Sequence, residues 1–165
     1  MAFWKQRKTL EAGSRAPDFE LSTLSGESKS LRDALASGPV LLAFYKVSCP
    51  VCQFTFPFLE RIHQGTGKGS VQVIAVSQDD ARSTRGFNRE YGITFPTWLD
   101  EAAKDYPVSN AFGISTVPSL FLIESDGSIS LAVSGFSKSD VETLGQRAAV
   151  APFRPGEYVP ECQAG

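Results

Sequence analysis

The chain has 165 residues, enough for one domain with a substantial core and few for two. Its 42% apolar and 21% charged residues are ordinary for a soluble globular protein, and a net charge of −2 offers nothing to draw nucleic acid or an anionic membrane surface. No stretch approaches the roughly 18 apolar residues of a spanning helix, and "MAFWKQRKTLEAG" lacks the roughly 7–15 apolar residues of a secretion signal, so the cytoplasm is the expected location.

A single domain over residues 1–165 is expected, with 1–12 as an N-terminal arm and 152–165 as an irregular tail. The irregular start runs to Pro17 and Asp18. "FEL" (19–21) alternates like a short strand, "SGES" (25–28) reads as a turn, and "SLRDALA" (30–36) as a short helix stopped by Gly38 and Pro39. Val40 to Tyr45 is a continuous apolar run, the pattern of a strand buried on both faces. A helix follows from Pro50, whose missing N–H is not needed in a first turn. It carries Cys52, Phe56, Leu59 and His63 on one face and Pro57 in its interior, and Gly65, Gly67 and Gly69 end it.

"VQVIAVS" (71–77) predicts a second buried strand. The next helix begins at Asp79 or Asp80, turns Thr84, Phe87 and Tyr91 inward, and ends at Gly92. A brief strand is expected at 97–99, a short helix at 103–112 and a hairpin over 119–133 that turns at Asp126-Gly127. A last helix starts near Ser139 with a Ser139/Glu142 capping box, presents Val141, Leu144 and Ala148 inward, and stops at Pro152. Strands alternating with helices and closed by a hairpin predict an α/β fold, a mixed central sheet flanked by helices.

Two of the three cysteines form the pair Cys49-Pro50-Val51-Cys52 at the hand-over from buried strand to helix, where α/β folds place their sites. A thiolate attacks a disulfide, and a helix N-terminus favours negative charge on Cys49. Cys52, one turn further in, is expected to be the less exposed sulfur. That asymmetry suits attack by Cys49 and resolution by Cys52. A structural zinc site needs four ligands, and only His63 and Cys162 remain to complete one. His63 lies three turns from Cys49, too far to serve its sulfur. Lys46 reads equally as a source of positive charge for the thiolate and as an exposed strand-end lysine. Cys162 reads as a spare tail thiol, and Phe54, Phe56 and Phe58 as mostly core.

"VLLAFYKVSCPVCQFTFP" resembles the strand–CxxC–helix segment of the thioredoxin superfamily, and "ISTVPSLFLIESDGSI" its second signature, a proline with a cis peptide bond set beside the cysteines. "SRAPDFELSTLSG" and "VSQDDARSTRGFNREYGITFPTWLDE" are similar to the redoxin branch, which holds TlpA-like thiol reductases and AhpC/TSA peroxiredoxins. The resemblance covers roughly residues 13 to 150 and implies a thioredoxin-like fold with an N-terminal strand extension and a small insertion. It implies a thiol–disulfide oxidoreductase with Cys49 as nucleophile, Cys52 as resolving thiol, and Val117, Pro118, Pro50, Val51 and Ser48 as the docking surface. No cofactor is implied beyond a redox-active Cys49–Cys52 disulfide. The implied partners are protein or small-molecule disulfides and a thiol reductant.

A peroxidase using the same pair, acting on peroxides, and a non-enzymatic binding module are the alternatives. The chain departs from the family's patterns around the pair. Ala43 stands where thioredoxins carry a buried Asp, Thr55 where many TlpA-like reductases carry a Glu, and Ser48 where a Trp is usual. Lys46 and Leu42 stand where peroxiredoxins carry a Thr or Ser and a Pro. The acid that takes the proton of the resolving thiol is therefore not legible in the sequence.

Overall fold

A computed structural model describes residues 8–67 and 70–165; Gly69 and the first seven residues of the arm lie outside the described residues. Its centre is β3 (Val40–Tyr45), six residues all buried. β3 lies parallel to β4 (Gln72–Ser77) and antiparallel to β6 (Ser119–Ile123), so both of its backbone edges are paired. Its side chains alternate between two cores. Leu41, Ala43 and Tyr45 meet α2 (Pro50–Gly65), α3 (Ala81–Glu90) and α5 (Lys138–Ala148); Val40, Leu42 and Phe44 meet α1 (Leu31–Leu35) and α4 (Pro107–Phe112). Burial on both faces is why the strand reads as an unbroken apolar run.

The sheet has the order β2-β1-β5-β4-β3-β6-β7, with β1 (Glu20–Thr23), β2 (Ser28–Ser30), β5 (Thr97–Leu99) and β7 (Ile129–Ser134) completing it. It is mixed: β3, β4 and β5 run parallel, and the pairs β1–β2, β1–β5, β3–β6 and β6–β7 are antiparallel. The β1–β2 hairpin is the N-terminal extension, attached at the β5 edge. Among the described residues no helix is long and apolar enough to cross a membrane.

Helix ends follow their caps. Asp80 accepts the Ser83 N–H at 2.7 Å and starts α3, inside which Thr84 and Phe87 are buried; Tyr91 is half-buried against the Phe87 ring. Three expectations are corrected. Residues 28–30 are strand β2 rather than the end of a turn, because the chain reverses within 23–27. The helix expected at 103–112 is a 3₁₀ turn (Ala102–Lys104) followed by α4, broken where Asp105 and Tyr106 take positive φ ahead of Pro107. The free N–H groups of Val108 and Ser109 are taken by the buried Asp100 carboxylate, at 3.2 and 2.7 Å. The cap of α5 is Ser137, whose hydroxyl accepts the Asp140 N–H, so the Ser139/Glu142 box does not form the start.

The two ends are packed on the fold. The arm is hydrogen-bonded into the fold, Leu10 N–H to Phe112 C=O and Gly13 N–H to Ile129 C=O. The tail is ordered too: its Cys162–Gln163 (β9) pairs antiparallel with Phe136–Ser137 (β8). Arg61 on α2 holds it, reaching Glu157 through two parallel bonds of 2.7 and 2.9 Å and the Pro152 carbonyl at 3.0 Å.

Phe56 is the hub of the core under α2. It is fully buried, with ring centroids 4.4 Å from Tyr45 and 5.7 Å from both Phe87 and Phe95. Phe56→Ala is expected to cost about 3–5 kcal/mol of unfolding free energy, read from the urea midpoint. A loss below about 1 kcal/mol would show that this cluster does not carry the core.

Candidate active site

At the top of β3 the chain leaves the sheet through Lys46, Val47 and Ser48 before α2 begins. Three bonds pin this short loop: Cys49 N–H to Lys46 C=O (3.2 Å), Val47 N–H to the Asp79 carboxylate (2.8 Å) and Gln53 Nε2 to Val47 C=O (3.0 Å). Cys49 is the N-cap of α2, and its sulfur accepts the Cys52 N–H at 3.2 Å. An unpaired helix-end N–H thus points at the sulfur, the arrangement that stabilises an anion there. Pro50 is the first helical residue and exposed, while Val51 is half-buried.

The two sulfurs sit in different surroundings. Cys49 is half-buried, whereas Cys52 has no exposed surface and faces Leu41, Tyr45 and Phe56 in the core. Burial above all pushes the Cys52 thiol well above its ordinary range, helped by its hydrogen bond to Cys49 and the nearby charge of Asp79; a backbone hydrogen bond from Lys46 works the other way. Burial also raises Tyr45, which Asp79 pushes in the same direction.

The second signature folds against the first. The Val117–Pro118 peptide bond is cis, Pro118 is buried, and the Val117 carbonyl accepts the Cys49 thiol at 3.4 Å. The structure therefore gathers Cys49, Cys52, Val117, Pro118, Pro50 and Val51 at one end of the sheet, with Ser48 exposed on the loop beside them. Lys46 is directed elsewhere: its ammonium lies over the Tyr106 ring, 5.6 Å from the centroid. His63 packs edge-on against Phe95, at the far end of α2 from the cysteines. Cys162 is exposed on β9. Among the described residues no three His, Cys, Asp or Glu side chains converge as a metal ion would require.

The positions that depart from the family's pattern are filled without acid. Ala43 is sealed between Ala75 and Leu120, and the Thr55 hydroxyl donates to the Val51 carbonyl at 2.6 Å. The carboxylate beside this loop is Asp79, half-buried just past the end of β4, where it accepts the Val47 N–H. Sequence reading used it only as an alternative helix cap. Its place beyond the carboxyl end of a parallel strand, on the same side as the cysteines, was the available signal.

The raised Cys52 thiol fixes a pH dependence. The folded state favours the protonated form, so this contribution is complete below the ordinary thiol value of 9.0 and is lost as pH rises above it. Unfolding free energy is expected to fall from about pH 9 upward, and to fall less in Cys52→Ala. Parallel curves for the two proteins would contradict the assignment.

Comparison with known proteins agrees with this geometry. Residues 12–132 match the AhpC/TSA family. The thiol-disulfide oxidoreductase ResA of Geobacillus thermodenitrificans is 30% identical over 142 residues, covering 85% of this chain and 79% of the relative. ResA of Halalkalibacterium halodurans is 34% identical over 128 residues, 77% of this chain and 70% of the relative. Among solved structures, the thioredoxin domain of a thiol-disulfide oxidoreductase from Bacteroides vulgatus matches with a TM-score of 0.74 at 23% identity, over 85% of this chain and 99% of that one, which establishes the thioredoxin fold. The chain belongs to the AhpC/TSA family.

Proposed function

We propose that this chain is a thiol–disulfide oxidoreductase that exchanges its Cys49–Cys52 dithiol with disulfides of protein substrates. The observation that carries the reading is the Cys49 sulfur itself. It caps α2, receives the Cys52 N–H and lies beside the Val117 carbonyl, with the buried Cys52 one turn below. The Cys49 thiolate attacks one sulfur of the substrate disulfide. That bond breaks, a mixed disulfide forms, and the departing substrate sulfur takes up a proton. Cys52 then loses its proton and attacks the Cys49 sulfur, releasing the second substrate thiol. The substrate gains two electrons and the chain keeps a Cys49–Cys52 disulfide, which an external thiol reductant returns to the dithiol.

The second step needs a base, because burial holds Cys52 in its thiol form. We assign that role to Asp79. One of its oxygens is held by the Val47 N–H, and its charge reaches both Cys52 and Tyr45. Peroxidase chemistry is less well supported, since the hydroxyl expected near a peroxidatic sulfur is replaced by Lys46, whose ammonium is engaged at Tyr106.

Insulin reduction driven by dithiothreitol tests the reading: Cys49→Ser should abolish it, and Cys52→Ser should accumulate mixed disulfides through Cys49. Activity surviving both substitutions would refute the mechanism. For Asp79, reaction of protein carrying Cys162→Ser with a dithiobis(nitrobenzoate) reagent releases thionitrobenzoate first on attack and again on resolution. Asp79→Asn, which keeps an acceptor for Val47, is expected to slow the second release roughly 10- to 100-fold near neutral pH and to leave the first nearly unchanged. An unaltered second phase would remove Asp79 from the mechanism.

A further inference from the structure

The C-terminal segment follows a defined course towards the nucleophile. Beyond the Arg61–Glu157 clamp, Val159 is buried in the α2–α5 core, and the Glu161 carbonyl accepts the Lys138 N–H at 2.9 Å. Cys162 then pairs with Ser137 and Gln163 with Phe136. Gly165 comes to rest on Thr116 and Val117, so close that a methyl group there would run into the Val117 carbonyl. Gly135 makes the approach possible from the other side. It has φ of 75°, and a Cβ added to it would lie 2.5 Å from the Gln163 carbonyl and 3.1 Å from the Gly165 nitrogen.

Val117 is also the residue whose carbonyl receives the Cys49 thiol. The tail, paired with β8, therefore sets Gly165 against the Val117 backbone that an extended, disulfide-bearing segment would use to reach the sulfur. Backbone that close to the Val117 carbonyl leaves no room for a second segment there.

We infer that residues 161–165, held on β8 with Gly165 seated against Val117, cover the docking edge and are displaced when an extended peptide carrying the reactive disulfide binds. The inference rests on the thiol–disulfide reading of the site. It also specifies the partner: an extended polypeptide segment with a small residue opposite Val117, the place where only glycine fits in the resident tail.

The test uses protein carrying Cys52→Ser and Cys162→Ser, which keeps Cys49 as its one thiol, and a short cysteine peptide supplied as its pyridyl disulfide, which Cys49 attacks with release of pyridine-2-thione whether or not the chain turns over. A chain ending at Pro160 is expected to take up the peptide on the order of tenfold faster than the full chain, and to react with a small pyridyl disulfide at a rate within about twofold. Equal peptide rates would overturn the inference, as would equal acceleration with both reagents, which would mean that the tail shields the sulfur rather than the edge.

Amide hydrogen exchange on the full chain supplies the second readout. Protection at Lys138, whose N–H is bonded to the Glu161 carbonyl, should be lost once the peptide is attached, and protection that persists would overturn the proposal. Failure of the thiol–disulfide reading itself would appear separately, as absent insulin reduction by both the full and the shortened wild-type chains.

Discussion

The structure depends on β3 being paired on both edges and covered on both faces. A strand so enclosed has no polar group left unsatisfied along its length, but it must end where the chain can leave the sheet. The exit is the three-residue loop tied down by Asp79, Gln53 and the Lys46 carbonyl, and it delivers Cys49 to the first free N–H groups of α2. The nucleophile is thus placed by backbone constraint, with no charged side chain touching its sulfur among the hydrogen bonds and ion pairs of the described residues.

Burial then separates the two sulfurs that sequence makes look alike. Cys49 stands at the rim, and Cys52 is sealed below it among Leu41, Tyr45 and Phe56. A thiol in such surroundings resists ionisation, and the proposed order of use follows from it: outer sulfur first, inner sulfur once a base reaches it. The acids that related sequences carry at Ala43 and Thr55 would have approached Cys52 from the strand and from the helix. In this chain those two positions hold no acid, and the carboxylate beside the loop is Asp79, past the end of the neighbouring strand β4.

Much of this was legible in the residues. The apolar run of β3, the cysteine spacing, the proline opening α2 and the hairpin at Asp126-Gly127 each carry a strong local signal, and the similarity of two separated stretches to one superfamily predicted that Val117 and Pro118 would face the cysteines. The missed features share one physical cause, namely that backbone groups or single side chains make them. β2 is three polar residues paired only through main chain. Asp79 acts through one carboxylate in a stretch where its neighbour Asp80 already accounts for an acidic residue before a helix. "PECQAG" has neither alternation nor apolar content, and its placement comes from Arg61 far away in sequence and from the glycines that let two backbones touch.

The Arg61–Glu157 clamp has a consequence for how the edge selects its occupants. Anchoring the chain at Glu157 leaves eight residues to Gly165, a tether with a flexible reach of roughly 16 Å, which corresponds to an effective concentration in the millimolar range. A free segment that binds the edge no better than the tail is outcompeted at ordinary concentrations. The balance reverses once Cys49 has bonded to it, because the segment is then tethered as well, and on a shorter leash. Covalent capture and strand exchange reinforce one another, so that the edge is yielded to segments that bring a reactive sulfur with them.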